Sequence, residues 1–303
     1  MDEPRSRATR ARAELALVRL LHELRDEDVF LVVLGGLTPE VLARDDALVP
    51  EHLGTTDVDI LLITHIDPNA DLGDVEQGLK RLGFEPDANE DGWRWRGPIE
   101  GISVRLEFLC DLPEHREGEI IRPRGCTALS AANLRGTGYV ARDFTWEKLS
   151  GELADGTRVT VRVRFAGIEG YLLSKCVAVR TRAATKDYYD LVYVLQHNRA
   201  GGPEQAAHRL LNGELAEALK PLRTTFVEVR ERYVKTRDSG PVGYAEQALE
   251  AQPEADPQGY GPTPSMSCSG FSQPLASDLT PSAARASSSA RRSPPPRRAW
   301  PSG

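Results

Sequence analysis

The sequence predicts an α+β protein of strands and helices, then a small helical part and a disordered tail. Three observations carry this expectation. Short β-rich runs alternate with stretches of helical periodicity through residues 1–166. Residues 167–251 carry mainly helical spacing. From about Gln252 the chain is dominated by Pro, Ser, Ala and Gly, so 252–303 cannot bury enough apolar surface to offset chain entropy.

The elements follow in order. Residues 13–25 place Leu17, Leu20, Leu21 and Leu24 at helical spacing. Residues 29–34 form an unbroken apolar strand closed by Gly35-Gly36. A helix is expected over 37–45, with Thr38 as N-cap and Pro39 at its first position. A second strand covers 56–63. Leu72, Val75, Leu79 and Leu82 then mark a helix ended by Gly83. Residues 93–96 and 102–110 read as paired strands around a turn at 97–101. Further strands are expected at 118–121 and 157–165. Helices are expected at 168–182, 187–197, 203–219 and 222–234.

The bulk composition sets limits. The 303 residues allow two domains, or one with extensions. The hydrophobic share of 40% and charged share of 27% are those of an ordinary globular protein. No stretch approaches the ~20 apolar residues needed to span a bilayer. The N-terminus has no signal-peptide pattern, so the expected compartment is cytoplasmic, with no membrane partner. Cys110, Cys126, Cys176 and Cys268 lie far apart, which excludes the common zinc spacings and suggests free thiols.

A net charge of −7 argues against a generic polyanion binder. Residues 158–186 nevertheless hold seven Lys or Arg and one acid, Glu169. This stretch reads either as an RNA phosphate track or as scattered solvated charge. The basic end of the tail, from Arg285 to Arg298, reads as solvated.

The most informative segment is Gly54-Thr55-Thr56-Asp57-Val58-Asp59-Ile60. On a strand, Asp57 and Asp59 share one face while Val58 and Ile60 face a core. Two adjacent carboxylates repel unless a cation lies between them, and hard divalent ions take such oxygen ligands together with substrate phosphates. Gly35 and Gly36, between a strand and a helix, allow close backbone approach to an anion. His52 and His65 flank the acidic strand without a second ligand at metal spacing and read as ordinary polar residues. Trp93 and Trp95 share a strand face and could stack a base, although sheet packing is the plainer reading.

Val33-Leu34-Gly35-Gly36 followed by Thr55-Thr56-Asp57-Val58-Asp59 resembles the signature of the DNA polymerase β-like nucleotidyltransferase superfamily. Downstream, Lys175, Ala178 and Arg182, then Lys186-Asp187-Tyr188-Tyr189-Asp190-Leu191, resembles the helix pair of the AbiEii/AbiGii toxin branch. The resemblance covers roughly 29–195. The superfamily usually has Gly-Ser after its first strand, where this chain has Gly35-Gly36.

The resemblance implies a polymerase β-type nucleotidyltransferase core over 1–166, with a mixed sheet flanked by helices, and a helical C-terminal part over 167–251. It implies transfer of a nucleoside monophosphate from an NTP to an acceptor hydroxyl, with Mg²⁺ or Mn²⁺ as cofactor. Asp57, Asp59 and Glu107 would bind metal, with Asp111 the alternative third carboxylate. Lys175 would neutralise developing charge. Gly35, Gly36, Thr56, Lys186 and Asp187 would bind the nucleotide. The implied acceptor is RNA, a tRNA 3′ end, with the chain acting as the toxin of a toxin–antitoxin or phage-defence pair and a separate antitoxin as partner. Transfer to a protein or small molecule, and a non-catalytic nucleotide- or RNA-binding module, remain the alternatives.

Overall fold

The structure is a computed structural model describing residues 5–27, 29–62 and 71–251. The expectations for Ile63, His65, Cys268 and the tail from 252 lie outside these residues. Ser6 starts α1 (Arg7–Glu23) with a reciprocal cap: Thr9 N donates to Ser6 Oγ at 3.1 Å and Ser6 N donates to Thr9 Oγ1 at 2.8 Å. That cap places the start well before the expected residue 13.

β1 (Leu31–Leu34) is buried throughout and runs into a 3-10 turn, Gly35–Leu37, continued directly by α2 (Thr38–Leu42). Thr38 is not an N-cap, because Leu37 before it already has helical backbone; its hydroxyl donates to Val33 O at 3.4 Å. The helix is also shorter than expected, since Ala43 turns extended and bridges Asn198.

β2 (Asp57–Leu62) follows, and α3 (Gly73–Arg81) ends before Gly83 at φ +77°. The remaining strands are β3 (Glu85–Pro86), β4 (Arg94–Ile99), β5 (Ile102–Cys110), β6 (Ile120–Ile121), β7 (Ala131–Asn133), β8 (Phe144–Glu152) and β9 (Arg158–Ala166). They form a mixed sheet in the order β3-β4-β5-β2-β1-β9-β8, with β7 also on β5 and β6 on β7. The β4–β5 turn is tighter than expected. It is Glu100-Gly101, at φ +51° and +78°, and Gly97 lies within the strand. A Cβ at Gly97 would sit 2.5 Å from the Phe84 ring, so this glycine serves packing.

Alternation divides the sheet into two faces. Val33, Val58, Ile60, Leu106, Phe108 and Phe165 pack with α1 and α3. Val32, Leu34, Leu61 and Leu109 pack under α4 (Ile168–Thr181) and α5 (Thr185–His197). α6 (Pro203–Asn212), α7 (Leu219–Glu231) and the unexpected α8 (Ser239–Ala251) complete this second layer. α8 docks on α5, with Tyr244 stacked on Tyr189 at 5.3 Å. The core on this side therefore takes residues from both sides of the 166/167 boundary. Cys110, Cys126 and Cys176 are free thiols. No helix among the described residues is long and apolar enough to cross a membrane.

One buried acid ties α3 to the loop leading into β7. Glu76, 1% exposed, accepts from the backbone N–H groups of Thr127, Ala128 and Leu129 at 2.8 to 2.9 Å and from Lys80 Nζ at 2.6 Å. Burial would raise its pKa, but these donors hold it well below the carboxylate range. Glu76→Gln is expected to cost about 2–3 kcal/mol in urea unfolding at pH 7. Because the folded pKa is depressed, the wild-type advantage is full above the unfolded value of about 4.3 and narrows as pH falls below it. An advantage that stays constant down to pH 3 would show the carboxylate charge to be irrelevant.

Candidate active site

Three carboxylates meet on the α4–α5 side of the sheet. Asp57 and Asp59 lie on one face of β2, and the parallel register sets Asp59 beside Glu107 and Asp57 beside Arg105 on β5. The antiparallel register with β1 brings Leu34, and so the glycine turn, against Asp59. Asp59 and Glu107 line a cavity of about 300 Å³ together with Gly35, Trp93, Lys175 and Arg182. That volume lies at the lower end of the range for small-molecule sites.

The carboxylates differ in their surroundings. Asp57 is buried; Thr55 Oγ1 donates to its Oδ1 at 2.7 Å, and Lys186 Nζ lies 3.6 Å from Oδ2. Burial would raise the Asp57 pKa, but Lys186, the Thr55 hydroxyl and Arg105 hold it below the ordinary value. Glu107 accepts from Arg94 Nε at 2.9 Å, yet burial and Asp57 still push its pKa up. Asp59 makes no hydrogen bond or ion pair among the described residues. Desolvation, then the charges of Asp57 and Glu107, push its pKa up to about 7. Asp111 is not part of this group, since its carboxylate accepts from Gly136 N and Gly138 N beyond the end of β5.

Side chains of the acidic strand explain both glycines. A Cβ at Gly35, where φ is +72°, would lie 1.7 Å from Asp59 Oδ2. A Cβ at Gly36 would lie 2.5 Å from Thr55 Oγ1, so the Thr55 hydroxyl fills the space that a serine at 36 would need. Gly35 reaches the cavity and Gly36 lies behind it. The expected helix behind the turn has only five residues, too short to sum an appreciable dipole, so any phosphate contact falls to the turn itself. Thr56 is not brought to the cavity. It lines a small cleft with Thr9, Arg12 and Arg96.

A buried charge network lies beneath. Lys175 Nζ donates to Asp187 Oδ1 at 3.1 Å and Asp190 Oδ2 at 3.0 Å. Arg182 donates to both Asp187 oxygens at 2.6 and 2.8 Å. Arg5 Nη2 lies 2.8 Å from Asp190 Oδ1, and His52 Nε2 lies 3.0 Å from the same oxygen. Lys175 lines the cavity with its ammonium already committed to two carboxylates. Burial alone would lower its pKa, but Asp190 and Asp187 raise it. Asp187 is wholly buried and braces α4 against α5 rather than facing the cavity. His52 is likewise no ordinary surface residue. It is buried, accepts from Gly54 N at Nδ1 and donates to Asp190 from Nε2.

Among the cations flanking the carboxylates are Arg94, on Glu107, and Lys186, 41% exposed, beside Asp57. Trp93 and Trp95 do not share a face. Trp95, within β4, enters the core beneath the sheet, while Trp93, just before the strand, lines the cavity. Arg94 lies 4.0 Å over the Trp93 ring and bridges Glu107 to Glu90. Sequence reasoning missed Arg94 and Arg5. The strand register could have paired Arg94 with Glu107, whereas nothing local relates Arg5 to Asp190.

The donors suit a hard divalent cation, since all are carboxylate oxygens and Asp59 has no ion pair among the described residues. Among the described residues no three His, Cys, Asp or Glu side chains stand as a group that could hold a metal ion. No protein-family model matches the chain. No curated protein matches it, and no solved structure does.

Proposed function

We propose that the chain is a metal-dependent nucleotidyltransferase of the polymerase β type, transferring a nucleoside monophosphate from an NTP to a hydroxyl of RNA. The observation that carries this reading is Asp59, a carboxylate without a hydrogen bond or ion pair among the described residues, set beside Asp57 and Glu107 at the edge of a cavity. The register Leu34–Asp59–Glu107 across three strands supports it, because it sets two of the acids beside the glycine turn, with Asp57 on the same face of β2. The helix-pair motif from Lys175 to Asp190 supports the toxin branch, with a tRNA 3′ end as acceptor and an antitoxin as partner.

Asp57, Asp59 and Glu107 would hold Mg²⁺ or Mn²⁺, which when bound neutralises triphosphate charge and lowers the pKa of the attacking hydroxyl. The acceptor oxygen bonds to the α-phosphorus while the bond from that phosphorus to the bridging oxygen breaks and pyrophosphate leaves. Glu107, its proton affinity raised by Asp57 and burial, accepts the hydroxyl proton. Lys186 is exposed enough to turn from Asp57 to a phosphate. Lys175 and Asp187 act behind the site by fixing α4 against α5, and Gly35 keeps the backbone clear of the Asp59 carboxylate.

Incubation with Mg²⁺, each α-labelled NTP in turn and total tRNA tests the reading. Label is expected on RNA. Label on protein alone would replace RNA by a protein acceptor, and NTP binding without any transfer would reduce the chain to a nucleotide-binding module.

A further inference from the structure

The seven basic residues between 158 and 186 separate into two groups in the fold. Lys175 and Arg182 are paired with Asp187, Arg180 with Glu228 and Lys186 with Asp57. Arg158, Arg162 and Arg164 lie elsewhere, on β9, at the far side of the sheet from β4. β8 is the edge strand there, and the register sets Trp146 opposite Arg164, Lys148 opposite Arg162 and Glu152 opposite Arg158.

Alternation gives this hairpin two unlike faces. Leu149, Val161 and Val163 pack toward α1. The other face presents Trp146, 43% exposed, with Lys148, Arg158 and Arg162 also exposed. Arg162 lies 4.5 Å and Arg164 4.3 Å from the Trp146 ring centre, and Arg164 also stacks 4.1 Å over Phe30. Lys148, Arg158 and Arg162 have no carboxylate partner among the described residues, and Glu152 is the acid on this face. In a chain of net charge −7, four cations and an exposed indole are concentrated here.

From this placement we propose that the outer face of the β8–β9 hairpin is a docking surface for single-stranded RNA. The proposal deepens the acceptor assignment above and rests on it. Cations spaced along paired strands match the repeating phosphates of a strand. Trp146 offers a ring on which a base stacks without sequence preference, with Arg162 as a second planar partner. The charge balance favours a polyanion over an apolar protein segment, and the flat open face suits an unpaired strand.

Fluorescence anisotropy of a labelled single-stranded RNA oligonucleotide on the whole chain tests this without any catalytic step. Trp146→Ala is expected to weaken binding about 10-fold at every salt concentration. Lys148→Gln and Arg162→Gln should each weaken it and lower the slope of log affinity against log salt by about 1. Glu152→Gln, which removes the acid from this face, should tighten binding. Equal affinity across these variants, or preference for an RNA duplex, would overturn the proposal. Loss of RNA binding with transfer to another acceptor retained would overturn this surface alone, whereas RNA binding without transfer would count against the catalytic reading alone.

Discussion

Replacing Asp59 by asparagine is expected to abolish nucleotidyl transfer and to leave the protein more stable than the wild type. The loss should be about a thousandfold, corresponding to about 4 kcal/mol of transition-state stabilisation withdrawn with one carboxylate. The stability gain follows from the position of Asp59, which faces Asp57 and Glu107 with no ion pair among the described residues. Asparagine keeps the shape and removes one of three like charges. Without divalent cation the variant should gain about 1–2 kcal/mol, a rise of a few degrees in Tm. A residue retained for folding would show the opposite sign. Thermal melts in chelator alongside the transfer assay therefore decide whether Asp59 serves function at a cost to stability.

Asp190→Asn is expected to be the most destabilising single substitution discussed here. Asp190 is the common partner of Arg5, His52 and Lys175, and it is 2% exposed. Its pKa is held well below the ordinary range because, although burial would raise it, Arg5 and Lys175 prevail. Neutralising it leaves the buried Lys175 ammonium to share Asp187 with Arg182, and takes the charged partner from Arg5 and His52. Breaking such a pair costs about 3–5 kcal/mol. Urea unfolding should show the midpoint fall accordingly. A change below about 1 kcal/mol would mean that the network is solvated and contributes little to joining the N-terminus, α4 and α5.

The acidic strand was legible because its signal is local. Alternation alone places Asp57 and Asp59 on one face with Val58 and Ile60 beneath, and that is how β2 is built. Glu107 was legible in the same way, as an acid on an apolar strand. What local reading lacked was register. A turn placed over 97–101 misaligns β4, and only the tighter Glu100-Gly101 turn sets Arg94 opposite Glu107. The pairing of Lys175 with Asp187 and Asp190 is hidden from local reading for a related reason. Helical spacing shows where a side chain points along its own helix but not that Asp190, one turn after Asp187, will share the same ammonium. β8 was hidden by its Glu, Lys and Ser residues, and α8 by Gly240, Pro241 and Gly243 near its start. In these elements tertiary packing outweighs local propensity.

Calorimetric titration of NTP with and without Mg²⁺ decides whether Asp57 and Asp59 form a cation-dependent triphosphate site. Binding is expected to need the divalent ion and to disappear in the Asp57→Asn/Asp59→Asn variant, even though that variant remains folded. Equal binding without Mg²⁺, or binding unchanged in the double variant, would rule such a site out.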